Sequence, residues 1–184
     1  MSKLKLYYQF FNTELKTFTL LKEEKNYYFN NNIFFRISSY HLADIYYIDD
    51  LGRSIVGSRG WDNFSRFSSN FLSSILNMSV RLTDISPLTQ IISIIILSIS
   101  SLILVVIFSK KSSYFTLLGS TFLGLSPFYL ENMSYKFDSP YMTLAILASL
   151  LPFLFIRNSI IFIIVGICSL LLMYTTYQAA NAIF

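Results

Sequence analysis

From Leu88 onward the chain alternates long apolar runs with short polar turns. LTQIISIIILSISSLILVVIF, from Leu88 to Phe108, is the clearest run. A hydrocarbon core about 30 Å thick takes about 20 apolar residues in helical form, and this run supplies them. Three more spans are expected at about 114–130, 139–156 and 159–177; the first two end near prolines, and the middle one is short and borrows Ser139 and Pro140. Upstream, IFFRISSYHLADIYYI (33–48) reads as a weaker span, because Arg36, His41 and Asp44 interrupt it. Charge inside lipid is costly unless it faces protein or water. The pattern predicts an all-α polytopic transmembrane bundle of about five spans. A lead-in (1–32) precedes a membrane domain (33–184) with one large outward loop, 49–87.

Composition agrees with that class. The chain is 54% hydrophobic and 13% charged, with 18 Phe and 13 Tyr. A soluble domain carries about 25% charged residues, and interfacial aromatic rings suit lipid-facing helices. The lead-in bears Lys3, Lys5, Lys16, Lys22 and Lys25 against Glu14, Glu23 and Glu24, which is mildly basic. No basic patch of the kind nucleic acid needs lies outside it. No secretory signal follows the first lysines. Cys168 is the single cysteine and His41 the single histidine, which excludes an internal disulfide and a histidine-pair metal site. No Walker loop, CxxC or GxSxG occurs.

Charge placement predicts orientation. Lys110-Lys111 and Arg157 occupy short turns, and short basic turns face the cytoplasm. The segment from Asp49 to Pro87 and the turn from Glu131 to Asp138 then face outward together. Serines within the spans, as in SIIILSISS, suit helix packing through small residues.

The outward loop holds YYIDDLGRSIVGSRGW, which sets Asp49 and Asp50 beside Arg53, Arg59 and Trp61. A carboxylate at the membrane boundary can deprotonate a hydroxyl, and a pair can hold a divalent cation. Arginine suits bidentate contact with phosphate. Trp61 can stack on a sugar or anchor the loop at the headgroups, and Gly52, Gly57 and Gly60 permit tight turns. The plainer reading is that the same residues serve only solubility and anchoring. Asp84, in RLTDISPL, can equally cap the helix entering at Pro87, with Ser86 as the competing cap. Glu131, Lys136 and Asp138 form a second polar group on the same predicted side.

Three segments then carry a resemblance. IDDLGRSIVGSRGW, LTDISPLTQIISIIIL and LSPFYLENMSYKFDSPYM resemble, in that order, segments of the bacterial glucosyl transferase family of O-antigen modification, the type II Gtr family. The likeness covers roughly Ile45 to Phe155 and the rest more loosely. It implies a GT-C-like polytopic hexosyltransferase of the bacterial cytoplasmic membrane, active on the outward side. Such an enzyme moves a hexose, usually glucose, from a polyprenyl-phosphate carrier to a cell-surface glycan.

By that resemblance Asp49 and Asp50 are the acidic pair, one acting as base or both organising the donor. Arg53 and Lys136 face the lipid phosphate, and Trp61, Glu131 and Asp138 line the pocket. Mg²⁺ or Mn²⁺ is open as a cofactor. The family's members are longer, so a truncated N-terminal part, or one chain of a split enzyme whose partner supplies further helices, is expected. DNFSRFSSNF also stands where relatives carry a glycine-arginine element, with Arg66 as a loose substitute. The competing expectations are a non-catalytic membrane partner that binds a carrier lipid, and a small lipid or ion transporter.

Overall fold

The computed structural model describes residues 45–108 and 114–183. The lead-in, residues 33–44 of the expected first span and the Lys110-Lys111 turn lie outside them. Every regular element among the described residues is helical. They are α1 (Asp49–Val56), a 3-10 turn (Trp61–Phe64), α2 (Phe67–Leu76), α3 (Leu88–Phe108), α4 (Tyr114–Leu125), α5 (Pro127–Ser134), α6 (Ser139–Leu150), a second 3-10 turn (Leu151–Phe155), α7 (Ser159–Thr176) and a final 3-10 turn (Gln178–Ile183).

Two of these helices, α3 with 21 residues and α7 with 18, are long and apolar enough to cross a membrane. At 1.5 Å per residue they reach about 32 and 27 Å. In α3, Ser93, Ile94, Leu97, Ser100 and Ser101 turn inward and are buried, whereas Ile91, Ile95 and Ile99 are exposed. Ser93 Oγ donates to the Thr89 carbonyl at 2.8 Å and Ser100 Oγ to that of Ile96 at 3.0 Å, so these two hydroxyls are satisfied inside their own helix.

The expected span at 114–130 is two helices. Ser126 is extended at φ −61°, ψ 134°, and Pro127 follows it. Proline lacks the N–H that would continue the ladder and pushes the preceding residue out of the α region. The run at 139–156 is likewise α-helical only to Leu150, where Pro152 brings a 3-10 turn. The segment expected as a large loop, 49–87, is built from α1, a 3-10 turn and α2.

The short helix α6 sits at the centre, buried on nearly every side and packed between α3 and α7. Ala145, Ala148 and Ser149 are small enough to let neighbours approach. The main core joins Ile94 and Leu97 of α3, Tyr129 and Met133 of α5, Ile146 and Leu150 of α6, and Met173 of α7. A second cluster of Trp61, Leu82, Phe137 and Tyr141 lies where α1 and α2 meet the start of α6. That cluster floors the polar site.

Candidate functional site

The polar residues of α1 are positioned by unusual backbone. Ile48, at φ 41°, precedes the helix, and Asp50 N–H donates to the Tyr47 carbonyl at 2.9 Å. A β-branched residue at positive φ is strained, so this entry is held by its surroundings. Gly57 closes α1 at φ 69°, its N–H bonded to the Arg53 carbonyl at 2.7 Å. Consecutive residues of a helix point about 100° apart. The two aspartates therefore part company: Asp49 is exposed and Asp50 is 0% exposed.

Below the surface lies a charge-balanced cluster centred on Asp138. Its Oδ2 is paired closely with Arg53 Nη1. Its Oδ1 accepts from Trp61 Nε1 at 2.5 Å and lies 3.6 Å from Arg66 Nη1. Arg53 also stacks over Trp61, 5.1 Å from the ring centroid. Asp50 Oδ2 accepts the Lys136 backbone N–H at 2.6 Å; its Oδ1 is 4.0 Å from Arg53 Nη1 and has no hydrogen-bond partner. Burial pushes the Asp50 carboxyl up to about 6, the backbone N–H of Lys136 opposing and the charge of Asp138 adding to it.

Lys136 and Asp84 form a looser pair. Lys136 Nζ is 3.5 Å from Asp84 Oδ2 and 4.3 Å above the Tyr46 ring, and Tyr46 Oη donates to the same Asp84 oxygen at 2.8 Å. Asp84 Oδ1 accepts the Ser86 N–H at 2.9 Å. The residue read as a helix cap is thus also the partner of a buried lysine.

At the surface stands a third group. Tyr47 Oη donates to Glu131 Oε1 at 3.1 Å, and the Tyr47 and Tyr135 rings meet edge to face at 5.0 Å. Burial raises the Tyr135 hydroxyl above its ordinary range, and the charges of Glu131, Asp49 and Asp138 act in the same direction. Asp49 and Glu131 are both exposed here.

The candidate residues therefore sort by depth. Asp50, Arg53, Trp61, Lys136 and Asp138 come together and are buried; Asp49 and Glu131 are at the rim. Arg53 and Lys136, expected to face a lipid phosphate, are each engaged by an aspartate, because a buried cation needs a counter-charge. Arg66, Asp84 and Tyr46 belong to the same cluster, and their place needed contacts 38 to 90 residues apart in sequence. No three His, Cys, Asp or Glu side chains gather as a metal-binding group among the described residues.

The family model described as "Glucosyl transferase GtrII" matches residues 39–184, which takes in every residue of the cluster. The chain is 34% identical over 107 residues to an uncharacterized 55.3 kDa protein in the gtrB 5′ region of Salmonella phage P22. That match spans 58% of this chain but only 22% of the phage protein. No solved structure matches. With its family model covering most of the chain, the protein belongs to the GtrII glucosyl transferase family.

Proposed function

We propose that this chain forms the N-terminal part of a multi-pass membrane glycosyltransferase. It moves a hexose from a polyprenyl-phosphate carrier to a cell-surface glycan on the outward face of the bacterial cytoplasmic membrane. Family membership over residues 39–184 is the observation that carries this reading. The apolar helices α3 and α7 support membrane insertion, and the remaining spans belong to the proposal.

The geometry suggests a division of labour. Asp49, exposed and, like Glu131, acting electrostatically on Tyr135, takes the proton from the acceptor hydroxyl. Tyr47 and Tyr135 offer rings for sugar contact. Asp50 is a positioning residue that holds α1 against the Lys136 backbone. Lys136 meets the carrier phosphate by exchanging Asp84 for it, since its ion pair spans 3.5 Å.

Membranes containing the chain, with and without a partner supplying further helices, are incubated with polyprenyl-phosphate glucose and a lipid-linked glycan. Asp49→Asn lowers transfer by about 100-fold or more, the usual contribution of a general base, with thermal stability unchanged. Full transfer by Asp49→Asn would remove Asp49 from the chemistry. A second reading, a non-catalytic membrane partner, is favoured by the close engagement of Asp138 by Arg53 and Trp61. Transfer that is the same with or without this chain would select it.

A further inference from the structure

The helix α2 is inside out for a water-soluble element. Its inward face carries Ser69 and Ser73, both buried, with Leu72 packed on the Trp61 cluster. Ser68 Oγ bonds Thr175 Oγ1 at 2.7 Å and Ser69 Oγ donates to the Thr176 carbonyl at 3.2 Å, which seats α2 against the C-terminal end of α7. The opposite face presents Phe67, Phe71 and Ile75, spaced four apart, at 61, 67 and 60% exposure. Phe64, Met78 and Val80 extend the apolar surface at both ends. The helix α1 repeats the inversion, burying Asp50 and Arg53 while exposing Leu51 and Ile55.

We propose that α2 lies along the membrane interface, with Phe67, Phe71 and Ile75 immersed in the boundary between headgroups and acyl chains. This rests on the membrane insertion of α7 proposed above.

Two further observations select lipid as the occupant. The helix docks on one long enough to span a bilayer, and Leu171 and Tyr174 of α7 are exposed within a turn of Thr175 and Thr176, the residues that hold α2. Between Asp62 and Asp84 there is no acidic residue, and Arg81 is exposed just beyond the helix, which suits a headgroup layer with anionic lipid. Ten residues reach about 15 Å, too short to cross, so the helix lies along the surface.

The test uses the full chain with Cys168→Ser and one nitroxide-labelled cysteine at a time, reconstituted in bilayers of phosphatidylethanolamine and phosphatidylglycerol. Collision with oxygen, which concentrates in lipid, is compared with collision with a water-soluble nickel chelate. Labels at Phe71→Cys and Ile75→Cys favour oxygen several-fold, as does Ile167→Cys on α7, whereas Asp62→Cys favours nickel. Nickel preference at both α2 sites, or shielding from both reagents by a second copy or by another protein segment, would overturn the interfacial helix. Nickel preference at Ile167→Cys as well would overturn the membrane reading beneath it.

Discussion

Asp138 is the residue on which the candidate site depends, because one carboxylate receives Arg53, Trp61 and Arg66. Removing one partner of a buried ion pair typically costs about 3–5 kcal/mol, since the remaining charge is left without compensation. Asp138→Asn should therefore unfold at a markedly lower temperature in detergent, by a loss of that size. Glu131→Gln, at the exposed rim, should stay within about 0.5 kcal/mol of the parent. Equal stability of the two variants would contradict the buried hub.

Asp50 carries a pH signature. Burial raises its carboxyl from 3.8 to about 6 in the folded protein. The folded state thus holds the proton more tightly than the unfolded chain. The associated stability is complete below about pH 3.8 and is lost as the pH rises through about 6. Asn at this position stays neutral and still accepts the Lys136 N–H. The melting temperature of Asp50→Asn relative to the parent should rise from about pH 4 to about pH 7, and a flat difference would count against the shift.

Among elements, α1 is the one whose ends matter most, since it delivers Asp49 and Asp50 on different faces. Gly57 closes it at φ 69°, and a Cβ there would meet Arg81 Cγ at 2.6 Å. Gly57→Ala should cost about 1–3 kcal/mol, the usual range for backbone strain. Gly52, inside the same helix with nothing within 4 Å of its would-be Cβ, gives the opposite sign. Gly52→Ala should add about 0.5–1 kcal/mol by removing glycine's excess freedom. Thermal unfolding of the pair checks both. Prolines work in the same local way: Pro127 and Pro152 divide apolar runs that hydropathy alone reads as continuous.

For the whole molecule, a short buried helix holds the long ones together. α6 packs against both α3 and α7, and its N-terminal residues Asp138 to Tyr141 join the bundle to the polar cluster above it. The charged cluster is thereby tied to the packed core.

What the sequence determined by itself was whatever depends on nearby residues. The helical class followed from the apolar runs, the long helix from Leu88 to Phe108 from an unbroken one, and the family from three polar motifs with their flanking apolar residues. Tertiary structure decided depth and partnership. Adjacent letters made Asp49 and Asp50 a pair, but helical geometry and the docking of α1 exposed one and buried the other. The resemblance sets Arg53 and Lys136 against a lipid phosphate, whereas segments 85 and 52 residues away supply Asp138 and Asp84 as their partners. Burial and long-range ion pairing depend on how helices dock, which no local spacing encodes.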